Sequence, residues 1–249
     1  MGELSYLDCN VSWGEEYVGV YRPCRTLQEL LAEMDWHGVD QALVHHALMR
    51  NHSPVVGNAL LAREIAGQPR LMGTWAILPP QTGELSPTPA FFQEMAAANV
   101  RALWAWPTEQ HYILDRVTFG RFLDEVSERH IPLFIPCDWA LAYHILAQYP
   151  HLTLVVAAQG PWGNDRFFRP LIEQYPRFYI DISRYELDCG LRDLVAKYGA
   201  GRLLYGSAFP QAPMGGPRLM VAQAEIDEAS RRNIAGENLR RLLQEVELA

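Results

Sequence analysis

Short apolar runs alternate with amphipathic stretches along nearly the whole of this 249-residue chain, and that alternation restricts its fold more than any other feature. Strand-like runs occupy residues 5–10, 41–46, 71–78, 101–106, 132–135, 152–158, 178–183 and 202–206. Helical patterns lie between and after them, at 27–37, 56–66, 90–98, 119–129, 141–149, 168–175, 191–198, 217–225 and 227–246. The first helix has clear ends. Thr26 and Glu29 form a capping box, Leu27, Leu30, Leu31 and Met34 make one apolar face, and Gly38 stops it. Eight short strands, apolar on both faces and each followed by a helix, predict a parallel (β/α)8 barrel. The competing arrangement is an open doubly wound sheet. No Gly-x-Gly-x-x-Gly follows a strand and no Gly-x-x-x-x-Gly-Lys occurs, so nucleotide-fold signals are missing. No low-complexity linker divides the chain, and residues 1–249 are expected to form one domain. The Pro- and Gly-containing stretch 79–89 reads as a loop after strand three.

Hydrophobic residues make up 49% of the chain, enough for a large core. No apolar run reaches the ~18 residues of a membrane span, and Met1-Gly2-Glu3 does not begin a signal peptide. The net charge of -8 argues against nucleic acid as a partner. The four cysteines, Cys9, Cys24, Cys137 and Cys189, form no Cys-x-x-Cys pair. They suggest a reduced, cytoplasmic protein, with Cys9 and Cys189 as buried apolar thiols.

Several segments, in order and at the right spacing, carry a family resemblance. The opening 4–14, with Asp8, Asn10 and Ser12 at alternate positions, is similar to a strand that ends acid-x-His-x-His. Residues 30–43 resemble a first helix and second strand. Residues 150–160 are similar to "Pro-x-Leu-x-Ile-Val-x-Ala-His-x-Gly", and 175–183 to the strand that follows it. Residues 202–210 resemble "Arg-Leu-Leu-Phe-Gly-Ser-Asp-Tyr-Pro", and 233–243 a closing helix. The family so resembled is the amidohydrolase-related metal-dependent hydrolases, which are TIM barrels. The resemblance implies a metal site, yet most of its positions are changed. Asp8 stands at the first acidic ligand. Asn10 and Ser12 replace two histidines, Pro136 and Ala158 two more, and Ala208 the aspartate after strand eight. Asn and Ser are neutral donors and an alanine is none, whereas catalytic zinc takes about three His, Asp/Glu or Cys ligands. Neither a metal nor another cofactor is therefore expected.

Other residues near predicted strand ends are candidates for chemistry or binding. His45 and His46 are strand neighbours, so one should face the interior and the other a helix. Cys137 is either a nucleophile or a half-buried thiol. Asp138 either caps a helix or accepts from a ligand hydroxyl. Trp13, Trp104, Trp106, Trp139 and Trp162 could ring the mouth for stacking, or fill it. Gln159 and Asn10 carry amides that should bond to each other, to Asp8, to a strand-two histidine or to water. Arg184 would grip an anion or pair with Glu186 or Asp188, and Ser207 joins the ligand-binding set beside Ala208. The loop 211–217, with Gly215-Gly216, could offer N–H groups to an anion.

Three readings follow. One is a metal-independent hydrolase, as the resemblance to metal-free lactonases allows, with Asp8, His45 or His46, and Asp138 as acid/base groups. A second is a non-catalytic protein that binds a small molecule. The third is a metallohydrolase or decarboxylase with substituted ligands. A small molecule is the expected partner in all three, and the resemblance is compatible with a homodimer. Whether Asp8 and a histidine converge in one pocket separates the first reading from the second.

Overall fold

The computed structural model describes residues 4–17, 19–160, 164–187 and 189–248. Eight strands form one sheet in sequence order. They are β1 (Leu7–Trp13), β2 (Gln41–His46), β3 (Leu71–Ala76), β4 (Val100–Trp104), β5 (Leu133–Ile135), β6 (Leu154–Val156), β7 (Phe178–Asp181) and β8 (Leu203–Leu204). Every neighbouring pair runs parallel. The sheet returns on itself: Cys9 N–H donates to Tyr205 O and Ser12 N–H to Phe209 O, both at 2.9 Å, and Val11 bridges Phe209 in parallel. The expected (β/α)8 barrel is therefore the fold, and the open sheet is not.

Helices follow the strands because a parallel crossover needs one. They are α1 (Leu27–His37), α2 (Ala47–Asn51), α3 (Pro54–Ile65), α4 (Thr88–Ala97), α5 (Arg116–Glu128), α6 (Trp139–Gln148), α7 (Asp165–Gln174) and α8 (Gly190–Tyr198). Then come α9 (Gly215–Gln223), α10 (Glu228–Arg232), a π-turn (Asn233–Glu237) and α11 (Asn238–Gln244). The capping box of α1 forms as expected, and Gly38 closes that helix at φ 62°. The continuous helix expected over 227–246 is instead broken in two by the π-turn. Among the described residues no helix is long and apolar enough to cross a membrane.

Gly73 in β3 shows which way the strands face. A Cβ there would meet Leu61 and Ile65 of α3, so this position looks outward. Val44 is in register with Gly73, and Val11 with Val44. The next residues along, Ser12 and His45, are in register and face the interior. The strand β1 runs three residues beyond its expected end, and its register shifts between Asp8 and Val11. An irregularity of this kind re-aims side chains. Asp8 pairs with Ala42, on the outward face of Val44, while Ser12 faces inward.

At the closing seam a small residue is required. A Cβ on Gly206 would run into the Asp181 carboxylate and come within 2.9 Å of Cys9 Sγ. Gly206→Ala is expected to destabilise the fold by about 1–3 kcal/mol through overpacking. Gly201→Ala, with nothing within 4 Å of the new methyl, should stay near wild type. Urea unfolding of the two variants checks this, and equal midpoints would contradict it.

Candidate functional site

The two histidines of β2 divide as strand geometry requires. His45 turns inward, its ring 5.2 Å from Trp104 and 5.5 Å from Trp106. Those indoles stack on each other at 4.9 Å with planes 3° apart, making a flat wall. Burial pushes the His45 pKa down to about 3, with lesser contributions from Arg50 and His46, so the ring is neutral at pH 7. Its Nδ1 is buried without a partner among the described residues, as is Trp104 Nε1. His46 turns outward, where Nδ1 accepts from Leu48 N–H at 3.1 Å and caps α2. Trp13 goes with it. It meets His46 edge-on, donates to Glu64 at 2.7 Å and is fully buried, so it does not belong to an aromatic mouth.

Asp181, the last residue of β7, is the polar hub. Its carboxylate accepts from Asn10 Nδ2 at 2.9 Å, Ala158 N at 3.0 Å, Ser183 N at 2.7 Å and Ser183 Oγ at 2.9 Å. Burial raises its pKa and these four donors oppose the rise. Asp8 is equally buried but has less support. One oxygen accepts from Asn10 N and Ser207 N, each at 3.0 Å, and the other has no partner among the described residues. Burial lifts the Asp8 pKa to about 7.

The polar cluster is not the expected one: the Asn10 side-chain amide bonds to Asp181, not to Gln159, Asp8 or a strand-two histidine. The side chain of Gln159 is completely buried and neither of its amide atoms has a partner among the described residues. Ala158 and Ala208, where the resemblance implies histidine and aspartate, both hold left-handed backbone at φ 51° and 53°. Such conformations are uncommon for residues other than glycine and concentrate at functional sites. At Ala158 the turn aims the backbone N–H at Asp181.

The other candidates lie apart. Asp138 is exposed and caps α6 through Leu141 N at 2.9 Å, the first of its two readings. Cys137 is exposed, and partial burial of its thiol raises the pKa, which opposes nucleophilicity. Trp139 stacks on Phe167 and donates to Asn164 at 2.9 Å. Ser207 is fully buried and its hydroxyl accepts from Phe209 N–H. Arg184 is exposed and makes no ion pair with Glu186; its other expected partner, Asp188, lies outside the described residues, as does Trp162. Cys189 was expected to be buried but is exposed; it sits in a left-handed turn (φ 55°) in the loop ahead of α8, not in the strand or helix core. The acid/base set Asp8, His45, His46 and Asp138 is therefore dispersed: Asp8 and His46 point outward, Asp138 lies on the surface, and only His45 faces inward. Among the described residues no three His, Cys, Asp or Glu side chains gather where they could hold a metal ion.

Two residues central to this site, Asp181 and Glu16, were not in the expected set. Asp181 had one signal, the spacing Asp181-Ile182-Ser183 that suits a carboxylate capping the N–H two residues on. Glu16, which accepts from Ser12 four residues earlier, had none, since its other donors, Asn51 and Gln211, are far away in sequence.

The buried Asp8 and His45 bind protons oppositely. Asp8, at about 7 against 3.8 when unfolded, keeps its proton on folding, so its contribution weakens stability as pH rises between those values. His45, at about 3 against 6.5, refuses a proton on folding, so its contribution strengthens stability as pH rises from 3 to 6.5. The two nearly cancel from about pH 4 to 6.5. Relative to wild type, Asp8→Asn should gain stability with rising pH in that window by about 1.4 kcal/mol per unit, and His45→Asn should lose it. Denaturant unfolding at half-unit pH steps reads both slopes, and variants that track wild type would contradict the assignment.

The profile of the amidohydrolase family matches residues 39–244. No curated protein sequence matches the chain. Among solved structures it is similar to an uncharacterised TIM-barrel protein from Bordetella bronchiseptica, at 18% identity and TM-score 0.73, over 97% of this chain and 99% of that one. It is also similar to 5-carboxyvanillate decarboxylase from Sphingomonas paucimobilis, at 15% identity and TM-score 0.71, over 98% and 100%. A third similar structure is a dihydroxybenzoic acid decarboxylase from Polaromonas with bound manganese, at 15% identity and TM-score 0.72, over 97% of each chain. At these identities the structures speak for the fold alone, and the profile match carries the assignment: the chain belongs to the amidohydrolase family.

Proposed function

We propose that this chain is a metal-independent member of its family that binds a small organic molecule in the barrel and does not hydrolyse it. The observation that carries the reading is the dispersal of the acid/base candidates: Asp8 and His45 lie on opposite faces of the sheet. General acid–base catalysis needs groups within hydrogen-bond reach of one reacting centre. A neutral, buried His45 alone does not meet that need.

The donor set does not fit a divalent ion. Asp8 turns to the seam and spends one oxygen on two backbone N–H groups. Asp181 already accepts four hydrogen bonds. Asn10 Nδ2 is committed to Asp181, Ser12 Oγ donates to Glu16, and Ala158 and Ala208 offer no side-chain donor. Binding of an organic molecule is supported by His45 Nδ1 and Trp104 Nε1, buried at a flat indole wall, and by the buried Gln159 amide, all without partners among the described residues. Each unmet group costs about 1–3 kcal/mol. A small planar molecule with both a donor and an acceptor would satisfy several at once.

One observation favours the metal-free hydrolase as a second reading. A carboxyl poised near pH 7, as Asp8 is, has the right proton affinity for acid/base work at neutral pH. A thermal-shift screen of divalent metals, lactones, small carboxylic acids and planar heterocycles, followed by turnover assays on every hit, separates the readings. We expect stabilisation by at least one organic compound, lost in Gln159→Leu, with no turnover. Turnover of a lactone abolished by Asp8→Asn would replace this reading with the hydrolase, and stabilisation by metal alone would overturn both.

A further inference from the structure

Just past β1, the chain presents a carboxylate to the barrel's own mouth. Ser12 Oγ donates to Glu16 Oε1 at 3.2 Å, and Gln211 Nε2 donates to the same oxygen at 3.0 Å. Asn51 Nδ2 donates to Glu16 Oε2 at 3.0 Å and to Glu15 O at 3.1 Å. The three donors come from β1, the end of α2 and the loop between β8 and α9. Among the described residues no Lys, Arg or His pairs with Glu16. Its charge is met entirely by neutral dipoles.

This arrangement has the features of a receptor for a carboxylate. Ser12 is fully buried and rigid in its strand, so its hydroxyl is fixed before any ligand arrives. Asn51 and Gln211 each place an amide N–H on the carboxylate, so both of its oxygens are held. Ser12 is also the inward neighbour of His45 across β1 and β2, which sets the site at the edge of the interior described above. A loop that only needed anchoring could have used an ion pair at the surface. Instead an acidic side chain folds back onto donors that line the mouth.

We propose that Ser12, Asn51 and Gln211 form a carboxylate-binding site, and that Glu16 occupies it as an internal ligand which a free small carboxylate can replace. The proposal goes beyond the reading of the interior. It uses neither Gln159 nor the indole wall, and it stands or falls independently of whether those groups bind anything.

The test is chemical rescue. Glu16→Ala removes the internal carboxylate and leaves its donors in place. Thermal unfolding of E16A would be followed in sodium acetate, formate and propionate against sodium chloride at equal ionic strength. The expected result is a saturable rise of about 2–4 °C in E16A that wild type lacks. Adding Ser12→Ala and Gln211→Leu to E16A should abolish the rise. Should E16A not fold, the isosteric E16Q serves instead, because it keeps the packing while setting an amide donor against Asn51 Nδ2. The same saturable rise is expected there. No carboxylate effect beyond that seen in wild type, or an effect that survives loss of Ser12 and Gln211, would overturn the proposal.

Discussion

The Asp181 carboxylate is the interaction on which the top of this barrel depends. It gathers donors from β1 (Asn10), from the turn after β6 (Ala158) and from its own strand end (Ser183). Four hydrogen bonds offset the cost that burial imposes on this carboxyl group. The constraint spreads outward. Gly206 must lack a side chain because Asp181 and Cys9 fill its space. Ala158 must adopt a left-handed turn to deliver its N–H.

The second carboxyl, Asp8, shows what happens without that support. It has two backbone donors on one oxygen and none on the other, and burial raises its proton affinity to near neutrality. Two acids in one buried layer are tolerated because they are treated differently: one is solvated by protein dipoles and the other is ready to hold a proton. On the inner face the His45 ring is neutral and its Nδ1 has no partner among the described residues. That free nitrogen beside the indoles suits the proposed planar ligand with a donor and an acceptor.

Much of the fold was legible in the sequence, because a parallel barrel writes each strand as a short apolar run and each helix as a 3.6-residue pattern. The capping boundaries of α1 and the capping role of Asp138 could be read from local chemistry alone. The split between His45 and His46 followed from strand alternation, although the choice between them needed the register. The rest depended on irregularity. The shift within β1 turns Asp8 outward, and Cys9 and Asn10 are both buried, so no period in the sequence marks it. Trp13 was expected at the mouth because β1 was expected to end at residue 10; the longer strand carries it to the helix side. The local Asp181-Ile182-Ser183 spacing marked only part of one hub: Asn10 and Ala158, which also serve Asp181, and Asn51 and Gln211, which serve Glu16, are distant in sequence.

In the proposed reading the buried carboxyl groups of this barrel serve protein donors and hold no metal. Elemental analysis of protein purified without chelator, from medium supplied with zinc, manganese and iron, distinguishes that reading from a metallohydrolase. Well below one divalent ion per chain is expected, with no change on Asp8→Ala. About one ion per chain, lost on Asp8→Ala while the protein stays folded, would contradict it.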